Sequence, residues 1–215
     1  MTGQAIPRVE RVLTRGDFTL DGQTFKVDNN VWLLGDDTEV LVIDASHDPA
    51  VILAAVAGRR VAGIVATHGH NDHINAAVEL ADLANAPIAL HRADHLLWEA
   101  IYPHRRPDRA LVDGAQIPVP GGMLHVLHTP GHSPGGVCLF GPFASGPTLF
   151  SGDTLFRGGP GATGRSGSDF PTILASIRER LLTLPPETVV HPGHGDDTTI
   201  GAELPDYDAW VARGH

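Results

Sequence analysis

The sequence predicts an α/β fold in which two β-sheets pack face to face and helices cover their outer surfaces. Two observations support this prediction. Short apolar runs of strand length alternate with helix-like segments in the first half of the chain. The second half likewise contains strand-length apolar runs, and a helix-like segment follows them. A sheet that is apolar on one face must bury that face against another layer, so two β-rich halves, each followed by helices, favour a layered sandwich. A length of 215 residues suits one domain, residues 1–215.

The predicted first half contains four strands and three helices. Its first two apolar runs, residues 31–34 and 40–43, flank Gly35 and two aspartates, which is typical of a hairpin turn. The other elements are, in order, a helix at residues 49–57, a strand at 61–66, a helix whose apolar face carries Ile74, Val78, Ala81 and residues 84–85, a strand at 88–90 and a helix around 93–100.

The predicted second half contains four strands and one long helix. The strands are at residues 116–119, 124–127, 137–140 and 148–150. Asp169 suits the N-cap of the helix, because an aspartate side chain can accept hydrogen bonds from the first backbone amides. Apolar residues then recur at spacings of three and four, at Ile173, Ile177, Leu181 and Leu184.

The charge of the chain disfavours nucleic-acid substrates. Fifteen basic residues against 25 acidic ones give a net charge of -10, which repels a phosphate backbone. No apolar run is long enough to span a bilayer, and residues 1–12 lack the apolar segment of a secretory signal. The single cysteine, Cys138, cannot form a disulfide within the chain. We therefore expect a cytoplasmic protein that binds neither nucleic acid nor membrane.

Histidine is the residue type that indicates chemistry here. The chain has 13 histidines, and histidine is the commonest metal ligand in proteins. Four potential ligands fall within six residues directly after the strand at residues 61–66: His68, His70, Asp72 and His73. Alternating strand positions would point these side chains to opposite faces, so a loop at a strand-to-helix corner is needed to bring them together.

Three further candidate ligands follow other strand-like runs. His132, Asp153 and His194 each lie beside glycine or proline, which fix turns and allow the backbone to approach closely. Seven nitrogen and oxygen ligands exceed the number that one tetrahedral zinc uses, so two metals that share a ligand are the economical interpretation. A carboxylate is the natural bridge, and Asp153 is best placed for it.

This pattern resembles the metallo-β-lactamase superfamily, and the resemblance covers nearly the whole chain. It depends on His-x-His-x-Asp-His at residues 68–73, followed in order by His132, Asp153 and His194. The resemblance implies an αββα sandwich of two mixed β-sheets flanked by helices, with the site at one sheet edge, and it makes Asp72 the candidate catalytic residue. It also implies a first metal on His68, His70 and His132, a second on Asp72, His73 and His194, and Asp153 as the bridge.

Within that superfamily the chain is similar to the short glyoxalase II relatives. The similar segments are residues 152–156, 164–166, 192–195 and 198–201. Two departures concern the substrate: the helical C-terminal domain with which full-length glyoxalase II grips glutathione has no counterpart after His194, and the usual Gly-Arg-Thr-Asp reads Gly-Arg-Ser-Gly here. The resemblance implies a metal-dependent hydrolase of an acyl conjugate of a small thiol.

Two bound metals would supply the nucleophile for such a reaction. They lower the pKa of a bound water from about 15.7 to roughly 7, and one metal can hold the oxyanion formed from the substrate carbonyl. A thiolate, whose parent thiol has a pKa near 8.5, leaves without strong protonation, whereas an amine needs a placed acid. No further acid is evident in the motifs, which favours a thioester over a β-lactam. Zinc is the expected metal, although iron or manganese also suits mixed histidine and carboxylate ligands.

Three other functions stay open at this point. A mononuclear iron persulfide dioxygenase shares the scaffold and uses only ligands of the type of His68, His132 and Asp153. A metallohydrolase for another ester or a lactone would keep the whole ligand set. A non-catalytic metal-binding or interaction module would have no reason to keep all seven ligands, so the complete set argues against it.

Some residues outside the ligand set have two interpretations each. Asp44, at the end of a predicted strand, either accepts a hydrogen bond from a ligand histidine or caps the next helix. Arg165 is the candidate substrate-binding residue for an anionic group, or it pins its loop to a carboxylate. Three arginines near residue 105 either attract a carboxylate-bearing substrate or are simply solvated: Arg105, Arg106 and Arg109.

The remaining features are predicted to be structural. Residues 159–164 match the dinucleotide fingerprint, but the predicted strand ends near residue 150 and the helix begins near residue 169, so the tight strand-turn-helix is lacking. Cys138 is predicted to pack in the core. The other histidines are predicted to lie at the surface or behind the ligands: His47, His91, His95, His104, His125, His128, His191 and His215.

Overall fold

The computed structural model describes residues 7–214 and contains two six-stranded β-sheets, with helices on both outer sides. The predicted αββα sandwich is confirmed. Two expectations concern residues outside this range, namely the lack of an apolar leader, which involves residues 1–6, and the position of His215. The prediction of one domain over residues 1–215 also extends beyond the described residues.

The first sheet is built from the N-terminal half of the chain. Its strands are β1 (Arg8–Leu20), β2 (Gln23–Gly35), β3 (Glu39–Ile43), β4 (Arg60–Val65), β5 (Ile88–His91) and β6 (Arg109–Leu111), in that spatial order. β1, β2 and β3 are antiparallel neighbours, whereas β3 to β6 run parallel. The carboxyl ends of β3, β4 and β5 therefore meet at one edge of the sheet.

The second sheet is built from the C-terminal half. The remaining strands are β7 (Gln116–Val119), β8 (Gly122–His128), β9 (Val137–Phe143), β10 (Gly146–Gly152), β11 (Leu155–Phe156), β12 (Gly159–Pro160), β13 (Val189–Pro192) and β14 (Thr198–Thr199). Six of them form the sheet in the order β14-β13-β10-β9-β8-β7, and β11 pairs with β12 alone. Only β10 and β13 are parallel neighbours in this sheet.

Five helices lie between strands in the sequence, two follow the last strand, and two of the seven begin at aspartate side-chain caps. They are α1 (Pro49–Val56), α2 (Asn71–Ile74), α3 (Ala77–Ala84), α4 (His95–Ile101), α5 (Phe170–Ser176), α6 (Ile200–Glu203) and α7 (Tyr207–Arg213). The Asp48 side chain accepts from the amide of Ala50, and Asp169 accepts from that of Thr172, as expected for N-caps. A π-helical turn, Ile177–Leu181, continues α5. No helix among residues 7–214 is long and apolar enough to cross a membrane.

Three apolar clusters correspond to the interfaces between the four layers. One lies between the two sheets and includes Ile43 and Phe150, and the other two lie between each sheet and its helices. Successive β4 residues show the alternation directly, because Ile64 belongs to the helix-covered cluster and Val65 to the cluster between the sheets. Cys138 is fully buried in the third cluster, as predicted, and burial raises the pKa of its thiol to about 11.

Two local differences from the sequence-based prediction affect the site. The single helix expected around residues 74–85 is divided into α2 and α3, because Asn75 and Ala76 turn away to hydrogen-bond with the segment after β3. In addition, β1 was not predicted, and β2 is far longer than residues 31–34. Together they form a hairpin of two 13-residue strands.

A cavity of about 650 Å³ opens between the sheets at the end where β3 and β4 begin. Small side chains such as Ala62, Ala89 and Ala110 line it, so the two sheets leave space there. None of the seven candidate ligands lines this cavity.

Candidate metal centre

Four loops converge at the opposite end of the sandwich, and each begins where a strand ends. The loop after β4 runs into α2, and the other three follow β8, β10 and β13. Together they bring all seven predicted ligand residues into one cluster: His68, His70, Asp72, His73, His132, Asp153 and His194. Their role as ligands stays a prediction, but their convergence is a property of the fold.

The first group consists of three histidines. His68, His70 and His132 can each offer one nitrogen, and these nitrogens lie within 4.8 Å of one another. His70 Nδ1 lies 2.9 Å from His132 Nε2. The other ring nitrogen of His132, Nδ1, donates to the carbonyl oxygen of Ala162 at 2.8 Å, which leaves Nε2 as the acceptor that faces the group.

The second group consists of Asp72, His73 and His194, again with ligand atoms within 4.8 Å of one another. His194 Nε2 lies 3.2 Å from His73 Nε2 and 3.3 Å from Asp72 Oδ2. His194 Nδ1 donates to the carbonyl oxygen of Asp28 at 2.7 Å. This contact to β2 fixes the ring and directs Nε2 into the cluster.

The carboxylate of Asp153 lies between the two groups. Its Oδ2 is 3.6 Å from His132 Nε2 in the first group and 3.4 Å from His194 Nε2 in the second. Its Oδ1 is 3.4 Å from His73 Nε2. A single carboxylate that lies close to members of both groups is the arrangement that a bridging ligand requires.

The donor set fits divalent cations. His68 Nε2 and Asp153 Oδ1 are buried and have no hydrogen-bond partner among the described residues. A buried polar atom without a partner is costly, and coordination to a cation removes that cost. Histidine nitrogens mixed with carboxylate oxygens suit zinc, iron and manganese.

The two groups differ in how strongly the side chains hold protons. Burial and the neighbouring His132 lower the pKa of His70 to about 3. Burial also opposes protonation of His194, but Asp153 and Asp72 outweigh it and raise the pKa of His194 to about 10. The second group therefore attracts positive charge through its carboxylates, and a cation that binds there displaces a proton.

Asp44 orients the second group from behind. Its Oδ2 accepts from His73 Nδ1 at 3.0 Å, and its two oxygens accept from the amide and hydroxyl of Thr67 at 2.7 Å. The backbone of Asp44 is left-handed, with φ of 58°, as occurs at functional sites where the surroundings enforce strain. Of its two predicted roles, the hydrogen bond to a ligand histidine is the one observed, because Asp48 caps α1 instead.

Asn29 and His47 extend this support, although Asn29 belongs to no ligand motif in the sequence. The amide nitrogen of Asn29 donates to Asp72 Oδ2 at 3.1 Å, and its oxygen lies 2.8 Å from His47 Nε2. His47 Nδ1 in turn lies 3.0 Å from the side-chain nitrogen of Asn75. The one signal for this chain of contacts is a pair of polar residues, Asn29 and Asn30, directly before the apolar run of β2.

Asp94 links the loops of the two sheets, although it also belongs to no ligand motif in the sequence. It is fully buried. It accepts from the amide of Gly69 at 2.8 Å, the hydroxyl of Ser133 at 2.7 Å and the amide of Gly135 at 2.5 Å. Gly69 lies between His68 and His70, and Ser133 follows His132, so one carboxylate sets the distance between the members of the first group.

The loop that carries His194 is held against β2. Asn30 donates to the carbonyl oxygens of Pro192 and Gly195, at 3.0 and 2.8 Å. Gly193 has to be glycine, because a Cβ there would lie 2.4 Å from Asp153 Oδ1. Close backbone approach, as predicted for this Gly-Pro context, is what brings the loop to the bridging carboxylate.

A cavity of about 240 Å³ opens onto the cluster. Its lining combines candidate ligands from both groups with apolar side chains, one serine and one arginine. These residues are Phe18, Val27, His70, Asp72, His132, Asp153, Phe156, Ala162, Arg165, Ser168 and His194. The structure thus places the predicted substrate-binding residue, Arg165, beside the metal cluster.

The other predicted features lie elsewhere. Arg105 pairs with Asp108, and Arg106 pairs with Glu99. Neither they nor Arg109 line the cavity at the metal cluster, so the interpretation of these residues as solvated surface arginines fits the structure. The Gly-rich stretch at residues 159–164 contains β12 and is followed by α5 only at Phe170, which agrees with rejection of the dinucleotide motif.

Comparisons with known proteins all indicate the same family. The family model of the metallo-beta-lactamase superfamily matches residues 25–194. A probable metallo-hydrolase of Bacillus subtilis, YqgX, is 34% identical over 188 residues, which cover 81% of this chain and 88% of that protein. The hydroxyacylglutathione hydrolase GloC of Haemophilus influenzae is 33% identical over 153 residues, which cover 65% of this chain and 71% of that protein.

A solved structure shows the same architecture. The crystal structure of the protein TTHA1623 in a di-iron-bound form is similar with a TM-score of 0.74 and 36% sequence identity, over 83% of this chain and 93% of that one. The likeness therefore covers most of both chains.

Proposed function

The chain is a metallohydrolase that belongs to the metallo-β-lactamase superfamily, and from this premise we propose that it cleaves a thioester of a small thiol. The observation that carries the proposal is the position of Asp153, whose carboxylate lies within 3.6 Å of ring nitrogens from both ligand groups. That arrangement supports a centre with two metal ions, which we propose to be zinc. Iron is the alternative metal, because the similar protein TTHA1623 has a di-iron-bound form.

Two bound cations would supply an activated water near neutral pH and would polarise the substrate carbonyl. The chain's own contribution is to hold the ligands in place and to direct the water. Asp72 is the proposed catalytic residue, because it lines the cavity and its Oδ1 has no hydrogen-bond partner among the described residues. Burial tends to raise the pKa of Asp72, but His73, His194 and Asn29 lower it overall. The group is therefore ionised at neutral pH and can accept a hydrogen bond at Oδ1.

The lining of the cavity supports a thiolate leaving group. Of the described residues that line it, none outside the ligand set is a carboxylic acid, a lysine, a tyrosine or a histidine. An amine leaving group needs such an acid, whereas a thiolate does not. The name of the GloC relative, a hydroxyacylglutathione hydrolase, agrees with this choice.

The dioxygenase alternative uses one metal and leaves four candidate ligands without a function in the centre: His70, Asp72, His73 and His194. Metal content separates the possibilities. Purified protein is expected to carry close to two metal ions per chain by elemental analysis. One iron per chain with uptake of oxygen would support the dioxygenase instead, and absence of bound metal would support a non-catalytic interaction module.

A substrate panel tests the reaction itself. The metal-loaded protein should hydrolyse S-lactoylglutathione and S-acetyl thioesters much faster than a cephalosporin, a phosphodiester or a lactone. Preferred turnover of the lactone or the cephalosporin would contradict the thioester proposal while leaving the two-metal centre intact.

Substitution of His194 by alanine should mainly empty the second metal position. His194 contributes to the second group and to no contact of the first. Elemental analysis of H194A is expected to give about one metal per chain, with hydrolysis strongly reduced. His104→Ala, at an exposed histidine outside the cluster, serves as the control and should keep two metals. Two tightly bound metals in H194A would show that the ligand assignment is wrong.

Substitution of Arg165 by alanine should raise KM more than it lowers kcat. We propose that Arg165 contacts an anionic group of the conjugate, which is bound equally in the ground state and the transition state. The expected rise in KM for S-lactoylglutathione is about tenfold, the worth of a hydrogen bond to a charged group. An unchanged KM would show that Arg165 does not contact the substrate and has a structural role instead.

A further inference from the structure

The β1–β2 hairpin extends beyond the sheet that it belongs to. β1 pairs with β2 along its full length of 13 residues, whereas β2 pairs with β3 only over residues 32–35. The part of the hairpin near its turn therefore has no third strand beside it. A two-stranded ribbon alone has marginal stability in water, so its position depends on other contacts.

Those contacts are made with the loops around the metal cluster. The amide of Thr19 donates to Asn71 Oδ1 at 2.7 Å, and the side-chain nitrogen of Asn71 donates to the carbonyl oxygen of Asp17 at 2.8 Å. On the other side of the cavity, the amide of Ser166 donates to Asp21 Oδ2 at 3.0 Å. The hairpin turn is thus tied to the ligand-bearing helix α2 and to the loop that contains Arg165.

Two aromatic rings of the hairpin contact Arg165. Its Cζ lies 5.5 Å from the ring centre of Phe18 and 5.1 Å from that of Phe25. The rings are a cross-strand pair, with centres 6.4 Å apart. Such contacts attract the guanidinium through the faces of the rings. They use none of the N–H groups with which a guanidinium forms a fork on a carboxylate.

The positive charge of Arg165 is available to a ligand. No ion pair joins Arg165 to a carboxylate among the described residues. The nearby Asp21 carboxylate accepts a hydrogen bond from the amide of Ser166, which is the main cause of its lowered pKa, and the charge of Arg165 is a smaller cause. Arg165 and Phe18 line the cavity at the metal cluster, while Phe25 supports them from outside it. The ring of Phe18 also meets that of the candidate ligand His70, with ring centres 5.6 Å apart.

We propose that Phe18 and Phe25 hold Arg165 in position to bind an anionic group of the ligand, so that the hairpin turn determines specificity for negatively charged acyl conjugates. In this arrangement Arg165 contacts the ligand and Phe25 is a positioning residue. The inference rests on the proposed function for its substrate class, but the binding that it describes requires no hydrolysis.

Binding of thioethers tests the proposal without turnover. S-propylglutathione carries a net negative charge, S-propyl-N-acetylcysteamine is neutral, and neither can be hydrolysed as a thioester. Calorimetry on the zinc-loaded protein should show that Phe25→Leu weakens binding of the anionic probe about two- to five-fold, the worth of one cation–π contact, and leaves the neutral probe unchanged. Phe25→Tyr keeps an aromatic face and should restore binding.

Two further variants separate positioning from general damage. Arg165→Gln should weaken the anionic probe by about tenfold, and Phe25→Leu added to it should cause no further loss, because the residue that it positions is gone. Thr24→Ala is the matched control, since Thr24 is exposed on the same hairpin and, among residues 7–214, its hydroxyl hydrogen-bonds only with that of Thr19 across the strands. It should bind both probes as the wild type does.

The outcomes are distinct from those of the substrate panel. Equal weakening of both probes by Phe25→Leu, additive losses in the double variant, or failure of the wild type to bind S-propylglutathione would each overturn the proposal. Normal probe binding without any thioester hydrolysis would instead overturn the proposed function and leave this inference standing. With S-acetylglutathione as substrate, the expected effect of Phe25→Leu is on KM and not on kcat.

Discussion

Substitution of Asp153 by alanine is expected to remove metal from both positions and to abolish hydrolysis. The Asp153 carboxylate lies 3.4 Å from a nitrogen of His73, 3.4 Å from one of His194 and 3.6 Å from one of His132. No neighbouring residue can replace a ligand shared by both groups. Loss of two-metal catalysis corresponds to several kcal/mol of transition-state stabilisation, so turnover should fall by at least about 10³-fold.

Elemental analysis and thioester assays of D153A measure this effect together. The expected metal content is well below one per chain, in contrast to about one for H194A. Asp196→Ala is a suitable control, because Asp196 is an exposed carboxylate close to His194 in the sequence, with contacts only to arginines. Retention of two metals by D153A would show that Asp153 is not the bridge.

Substitution of Asp94 by alanine should destabilise the fold by about 3–5 kcal/mol, because it leaves three buried donors unpaired. Those donors are the amides of Gly69 and Gly135 and the hydroxyl of Ser133. Their loss also releases the two loops that carry His68 and His132, so metal affinity should fall along with stability.

Urea unfolding of the metal-free protein measures the effect on the fold separately from the effect on the metal. Asp94→Asn keeps one acceptor oxygen and should lose only part of the stability. Asp82→Ala removes an exposed carboxylate from α3 and should change the free energy of unfolding by less than about 0.5 kcal/mol. A loss below about 1 kcal/mol in D94A would mean that the loops are held by other contacts.

The candidate ligands could be predicted from the sequence because each of them lies in a short local motif of metal-binding residue types. His68 to His73 form a short motif after an apolar strand, and His132, Asp153 and His194 each stand in a Gly- or Pro-containing turn. Short apolar runs such as residues 137–140 of β9 and 148–150 of β10 likewise predict strands without knowledge of their partners. The confirmed layer arrangement follows from these runs and from the family resemblance.

The contacts behind the ligands could not be predicted, because they join residues far apart in the sequence. Asp94 lies in a segment with helix-like character, and nothing local shows that Gly69 and Gly135 will meet its carboxylate. β1 escaped prediction for a related reason. Its residues alternate between buried and exposed without a continuous apolar run, and it becomes a strand by pairing with β2. Strands of two residues, such as β11 and β12, carry no periodicity at all.

The position of the 650 Å³ cavity, at the end of the sandwich away from the metal cluster, has a consequence for how this protein can change over evolutionary time. Larger apolar side chains at Ala62 or Ala89 would fill space between the sheets without touching a ligand or the loops that hold them. Thermal tolerance can therefore be acquired at one end while selection reshapes the ligand-binding loops at the other. Loop mutations that extend the range of substrates often lower stability. Stabilising substitutions at the cavity can compensate for that loss, because they leave the residues of the metal cluster unchanged.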